Sequence, residues 1–403
     1  MARQAAKRTQ TWHGAKSFLA LALSLSSAPS SAQDGGDQTP INEVLSAHSV
    51  IEESYFTNPR TTAMGGASIT VADDLDAAFA NPAGIGGLNL NRKDAPYLRK
   101  LYFPWLGLGA NAKSAKLYRE FKDQGGGSDS TIGRAIVDAH SGDAQYARAN
   151  FALGMVFGRT LLVPFADSQL AAVAQGSGTD AIDVRYRGTS GVGYGFSAQD
   201  PAGRISIGYF GFAASRKETQ GVFSYNEFTD SSARKAAIKE SSINYEGVGQ
   251  NVGIIWRIAE TARPTFGLNL KNAGDTVYTS SSEEHEDLIE TQDLNLGFSV
   301  SPKLGSNSSF NFVVQADHLL DYEFPTKKKY HIGLELCLAG FGSYSTMSLR
   351  SGYNDDGPSA GLSLNVGLVA LESSVYSVDI GVDNEKMVEQ RYMTTLMVNV
   401  AEF

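Results

Sequence analysis

The 403-residue chain is poor in several things. It has one cysteine, Cys337, which excludes an intrachain disulfide framework and a thiolate zinc cluster. Charged residues make up 19 %, below the roughly 25 % of an average soluble domain. There is no excess of positive charge: the formal net charge is −9, which argues against general nucleic-acid binding. No stretch of 18 or more apolar residues occurs, so no transmembrane helix is expected. No GxSxG elbow, Walker loop, HExxH or CxxC is present, and no enzyme or cofactor chemistry is read from the chain.

What is there begins with an address. Residues 1–32 carry Arg3, Lys7, Arg8 and Lys16 and no acid, followed by the apolar run Ser17 to Ser26 and small residues at Ser30 and Ala32. The apolar run is too short to span a bilayer, and the pattern is that of a secretory signal peptide. The exported chain is therefore expected to be more acidic than the full one.

A helical period is confined to residues 113–142, where Leu117, Phe121, Ile132, Ile136 and Val137 recur around Gly125-Gly126-Gly127. This predicts two short amphipathic helices about a break. Residues 97–110 read as a first strand. After about residue 148 the period is two. Leu294, Leu296, Phe298 and Val300 alternate with Asn295, Gly297 and Ser299; Ile332, Leu334 and Leu336 alternate with Gly333, Glu335 and Cys337; Leu362, Leu364 and Val366 alternate with Ser363 and Asn365. One face of each strand is greasy and the other small or polar.

A β-sandwich would pack those faces together, whereas a membrane barrel would turn them to lipid. The barrel is favoured by stretches of about ten residues, by Tyr and Phe near strand ends, and by too many strands, roughly twelve to fourteen, for one sandwich. Connections also come in two lengths. A tight turn at Asp355-Asp356-Gly357-Pro358 contrasts with long polar loops expected at 217–247 and 279–290. The chain stops on Phe403 at the end of an alternating run, as final strands of outer-membrane barrels do.

Residues 58–86 read NPRTTAMGGASITVADDLDAAFANPAGIG. Through Arg60, Ala63, Met64, Gly65, Gly66 and Ala67, then Asp73 and Asp74, then Asn81, Pro82, Ala83 and Gly84, this segment resembles the N-terminal segment of the FadL-like outer-membrane transporter superfamily. That superfamily includes long-chain fatty-acid and aromatic-hydrocarbon transporters and PorV-like proteins linked to type IX secretion. A weaker echo is Leu349-Arg350-Ser351-Gly352-Tyr353 with Ser359-Ala360-Gly361. The resemblance implies an all-β transmembrane antiparallel barrel of about 14 strands at 97–403, with a lumenal plug or hatch at 33–96. It implies passive transport of hydrophobic small molecules across the bacterial outer membrane. The alternative is a PorV-like secretion or interaction barrel, or a non-transporting scaffold. Partners expected are outer-membrane lipid, an apolar ligand and, on the alternative, a secreted or surface protein. No cofactor is implied.

The residues have a physical reading too. Gly65 and Gly66 permit close backbone approach and positive φ. Asn81-Pro82 marks a turn, and Asp73 and Asp74 are placed to cap a helix near Leu75. Pro164 cannot donate to a ladder and implies a bulge or kink, making it a candidate lateral gate. Gly191, Gly193 and Gly195 read as small lumen-facing residues, His331 and Glu335 as polar lining, and Glu283 to Asp287 as a solvated acidic loop.

Overall fold

The computed structural model describes residues 50–52, 56–89, 100–123, 142–175, 181–224, 231–304, 308–339, 345–366, 368–381 and 386–399. The signal segment, Phe403 and the second expected helix of 113–142 lie outside these. Sixteen strands form one antiparallel sheet. They are β1 (Lys100–Asn111), β2 (Ala144–Phe157), β3 (Thr160–Gln175), β4 (Ala181–Gln199), β5 (Ile205–Ser224), β6 (Ser242–Arg257), β7 (Thr265–Lys271) and β8 (Thr276–Ser280). Then follow β9 (Leu288–Glu290), β10 (Asp293–Val300), β11 (Ser309–Ala316), β12 (Tyr330–Ala339), β13 (Ser345–Asn354), β14 (Gly357–Val366), β15 (Val369–Asp379) and β16 (Val388–Asn399).

The sheet closes into one barrel, because β1 pairs with β16 and β5 with β6. The short β8–β9 hairpin continues β7 and β10, since β6 pairs with β7 at Val252 to Arg257 and with β8 at Tyr245 to Val248. The barrel wall therefore has 14 strands. The break between β7 and β8 is made by Asn272, Gly274 and Asp275, all at positive φ. Asn251 Oδ1 accepts the Asn272 N–H at 3.0 Å, and Asp275 Oδ1 accepts the Gln292 N–H at 2.7 Å, so the interrupted ladder loses little hydrogen bonding.

The period-two rows point as a membrane barrel requires. Leu364 is 44 % exposed and its neighbour Ser363 is 1 % exposed. Ile205, Ile207, Ile254, Trp256, Leu296, Ile332, Leu334, Leu349, Leu362, Leu371, Tyr392 and Leu396 are all exposed on the outside. Asn269, Asn295, Ser299, Glu335, Arg350, Glu372, Arg391 and Thr395 are buried on the inside. Such an apolar exterior is stable only against lipid. No described helix is long and apolar enough to cross a membrane.

Connections include short turns at the end holding the chain termini of the barrel (158–159, 200–204, 258–264), while the longest ones (112–143, 225–241, 317–329) lie at the other, together with the tight turn at Asp355-Asp356. We call these the turn side and the loop side. In the 200–204 turn, the N–H groups of Ala202, Arg204 and Ile205 all donate to Asp200. These bonds hold its carboxyl below the usual carboxylate range.

The loop side departs from expectation. Residues 217–247 are not a polar loop: β5 runs on to Ser224, a helix spans Ser231–Glu240, and β6 starts at Ser242. β3 to β6 contain 16, 19, 20 and 16 residues, well beyond the ~9–11 that cross a bilayer. Their ends rise past the lipid, where the outward Lys217 meets water and the buried Arg216 is paired with Glu290. The 231–240 helix covers the outer wall there, packing Ala237 and Ile238 on Leu170, Ala172, Ile182, Val184 and Phe223. Of the 113–142 insertion, the helix Ala112–Asp123 is present, with the Ser114 N–H capped by Asn111 Oδ1 at 2.8 Å.

Lipid contact sets a depth-dependent tolerance. Leu334→Lys, at the centre of β12, should cost about 2–4 kcal/mol, and Tyr330→Lys at its loop-side end about 0–1 kcal/mol. Reversible urea unfolding in phospholipid vesicles measures both; equal costs would place the exterior in water.

Candidate functional site

Residues 50–52 and 56–89 lie inside the barrel. They enter near the loop side, where Glu52 meets Arg391 at 2.8 Å and Arg148 at 2.6 Å. Little of this plug is regular. Its helices are α1 (Pro59–Ala63), α2 (Ala77–Ala80) and a 3₁₀ stretch, Pro82–Asn89. Asn58 starts α1 by accepting the Thr61 N–H at 2.7 Å, with Pro59 in the first turn. Gly65 and Gly66 end it with φ of 64° and 94°.

At eight places beneath the plug the wall is reduced to glycine. A methyl group added at Gly361, Gly352, Gly333, Gly297, Gly267, Gly253, Gly208 or Gly195 would lie no more than 3.0 Å from a plug atom. The atoms met follow the plug in chain order: Ala63, Met64, Met64 again, Ile69, Thr70, Asn81, Pro82 and Ile85. These eight glycines sit on β14, β13, β12, β10, β7, β6, β5 and β4. Together they form a track on which the plug backbone rests. Of the small residues read at 193 and 195, Gly195 belongs to it, facing Ile85, while Gly193 makes room for the Phe210 ring of the wall.

Side chains of the wall then complete the plug's hydrogen bonds, as buried irregular backbone requires. Gln315 Oε1 accepts the N–H groups of Ser68 and Ile69 at 2.9 and 3.0 Å. Asn269 Nδ2 donates to the Ala80 carbonyl at 2.6 Å and Ser359 Oγ to that of Ala63 at 3.0 Å. His331 Nδ1 lies 2.7 Å from the Gly65 carbonyl. Asn81 works within the turn it was expected to mark: its Nδ2 donates to the Ile69 carbonyl and its Oδ1 accepts the Ala83 N–H. Pro82 lies against Gly208.

Arg60 is the plug's ionic anchor. Its guanidinium meets Glu335 of β12 through two bonds of 2.8 and 3.0 Å, and also pairs with Asp73 and Asp74. Arg350 of β13 donates to the same Glu335 at 2.7 Å and to Glu372 of β15 at 3.2 Å. Asp73 and Asp74 thus brace Arg60. Asp74 also accepts the Asp76 N–H at 2.8 Å, but neither carboxylate caps a helix at Leu75. The helix starts at Ala77 behind Asp76, whose side chain makes no capping bond. The stronger need is the buried guanidinium's, and it takes both carboxylates.

The echo noticed at 349–361 is the receptor for the N-terminal motif. Arg350 reaches Glu335, Gly352 admits Met64 and Gly65, Ser359 bonds Ala63 and Gly361 lies under it. Sequence reasoning did not pair the two, and it missed Glu372, Gln315 and Asn269 altogether.

The opposite side of the lumen is greasy. Phe56 stacks on Phe79 at 4.4 Å between ring centroids, and Phe79 meets Phe165 and Phe210 edge-on at 5.3 Å. Trp105, Phe212, Leu75, Ile85, Leu88, Ala152, Leu161 and Val163 join the same cluster. The wall beside it is interrupted. In the β2–β3 ladder Ala152 pairs with Phe165 and Met155 with Leu162, but no pairing is made at Val163 and Pro164. β1 shifts register against both neighbours between Tyr102 and Trp105, across Pro104. Pro164 therefore sits mid-strand at a ladder gap, as its lack of an N–H requires.

No protein-family model and no curated protein matches the sequence. Among solved structures, a TodX deletion mutant described as a monoaromatic hydrocarbon channel superposes with a TM-score of 0.52 at 9 % identity, over 85 % of this chain and 98 % of that one. The Pseudomonas putida toluene transporter TodX gives 0.48 at 9 % identity, over 85 % and 96 %. A Pseudomonas aeruginosa FadL homologue gives 0.46 at 9 % identity, over 85 % and 97 %. The chain folds as a FadL-type barrel. At this identity the likeness is one of fold, and the FadL-type architecture leaves the solute to be argued from the lumen.

Breaking the seat should open that lumen. Gly352→Val should unseat the plug and raise ion conductance in planar bilayers at least tenfold, while Ala213→Val on the lipid face changes nothing. Glu335→Ala removes the carboxylate that Arg60 and Arg350 share, leaving Arg60 to Asp73 and Asp74 and Arg350 to Glu372, and should weaken seating by about 1.5–3 kcal/mol, read as faster amide exchange at Gly65 to Ala67.

Proposed function

We propose that the protein is a bacterial outer-membrane channel, exported by a cleaved signal peptide at 1–32, for passive movement of hydrophobic small molecules such as long-chain fatty acids or hydrocarbons. The observation that carries this reading is the aromatic cluster around Phe79 and Phe165, placed directly inside the interrupted β2–β3 ladder at Pro164. An apolar solute gains about 25 cal/mol for each Å² it removes from water, so such a lining takes it up without any bond being made or broken. TodX, of like fold, is a toluene transporter. The reaction needs no cofactor, and the protein is not read as an enzyme.

In this reading the hatch is formed by Gly65, Gly66, Asp73, Asp74, Asn81, Pro82 and Ala83, and Pro164 marks a lateral gate through which solute passes into membrane lipid. Movement of Phe79 and its neighbours within the cluster supplies the path, while the ion pairs of Arg60 keep the opposite half of the plug in place.

A second reading is favoured by one feature. Eight wall strands hold the plug, and β3 to β6 rise beyond the lipid with a helix packed on them. A PorV-like barrel that meets a secreted or surface protein needs a sealed lumen and a projecting edge.

Vesicles containing the purified barrel separate the two. Uptake of labelled oleate and of toluene should exceed that of empty vesicles. Pro164→Ala supplies the missing N–H and should slow uptake several-fold. Wild-type uptake equal to that of empty vesicles, with a protein partner co-purifying, would establish the second reading instead.

A further inference from the structure

Below the plug, on the turn side, lies a cavity of about 360 Å³. It is closed above by plug residues among Thr70 to Asp73 and Ala83 to Gly87, and its walls are residues of β4 to β7, β11 and β12 with Arg263, Ser301, Lys303 and Ser308 of the adjoining turns. The volume is that of a small-molecule site, but the lining is of the opposite kind to the usual apolar pocket. Arg60, Arg257, Arg263 and Lys303 line it, and Asp73 is the one acidic residue that does. Arg60 is consumed by Glu335, Asp73 and Asp74. Arg257 reaches only the Gly203 carbonyl, at 3.4 Å. Arg263 and Lys303 make no ion pair among the described residues. Arg257, Arg263 and Lys303 thus line the cavity without a carboxylate partner, and the one carboxylate that lines it, Asp73, is paired with Arg60. A second observation points into the same space: the Thr70 hydroxyl, on a residue 8 % exposed, has no hydrogen-bond partner and lines the cavity. Buried hydroxyls are rarely left so.

We infer that this turn-side chamber is a binding site for a small oxyanion of the phosphate or carboxylate class, held by Arg257, Arg263 and Lys303 with Thr70 donating from above. Guanidinium groups suit such oxygens, and partial enclosure keeps the attraction from being screened as it would be on an open surface. The site does not depend on what crosses the aromatic side of the lumen.

The chain's only cysteine, Cys337, lines the chamber and reports on it. The experiment uses the purified full barrel in neutral detergent and two thiol-modifying methanethiosulfonates, one bearing a sulfonate and one a trimethylammonium group. The rate ratio of anionic to cationic reagent at Cys337, relative to that on free cysteine, should be at least tenfold. Arg263→Gln with Lys303→Gln, both in turns, should bring it close to one while heat-modifiable gel migration stays unchanged. Inorganic phosphate or acetate should slow the anionic reagent saturably, and chloride at equal ionic strength should not. A ratio near one in the wild type, no protection by either oxyanion beyond that of chloride, or no reaction with either reagent would each overturn the assignment.

Discussion

Backbone against backbone is the contact on which this molecule turns. A barrel of this circumference encloses more than its own inward side chains can fill, and an irregular segment lies within. That segment can sit close to the wall only where the wall offers no Cβ. Gly352 beneath Met64, Gly253 beneath Asn81 and Gly208 beneath Pro82 are places where even alanine collides. The high glycine count, 42 of 403, follows in part from this. So does the polar character of the remaining inward residues, because an irregular plug exposes N–H and C=O groups that Gln315, Asn269 and Ser359 must answer.

The seating is uneven around the lumen. From β12 to β15 the plug is held by charges and hydrogen bonds, with Arg60 and Arg350 sharing Glu335. From β1 to β5, beyond the loop-side Glu52–Arg148 ion pair and the Asn150 bond to the Thr57 carbonyl, it is held by rings and aliphatic chains. Ion pairs out of water are unforgiving: a displaced partner leaves a bare charge behind. Aromatic contacts are tolerant of exchange, since one apolar surface can replace another at little cost. The rigid half and the replaceable half therefore fall on opposite sides, and the interruption of the wall at Pro104 and Pro164 falls on the replaceable one.

Much of the barrel was legible because lipid imposes a simple rule. Leu362, Leu364 and Val366 had to share a face, and the only solvent that welcomes such a face on a single-layer sheet is hydrocarbon. The 217–247 stretch broke the rule and was read as loop. It is strand and helix standing above the lipid, where Lys217 and Glu246 need not alternate with anything greasy. Within the plug, a local signal spoke truly when its partner was local, as for Asn81 before Ala83. It failed when the partner was distant. Asp73 and Asp74 look like helix caps because nothing nearby in sequence shows that Arg60 is buried against Glu335, 275 residues away. Glu335 itself resembles ordinary lumen lining for the same reason, and an inward glycine gives no sign of what it makes room for.

The polarity of the two compartments bears on which way an apolar solute leaves. A ten-carbon chain gains about 8 kcal/mol on leaving water, at ~0.8 kcal/mol per methylene. Passing along the barrel axis, it would give that up on entering a chamber lined by Arg257, Arg263, Lys303, Ser301 and Ser309. It would also have to dehydrate those groups without pairing them, a further penalty. Passing sideways at Val163 and Pro164, it exchanges Phe79 and Phe165 for acyl chains and gives up almost nothing. On the proposed reading the axial route is thus the unfavourable one for an apolar solute even when the plug moves, and exit beside Pro164 would cost only the parting of the wall.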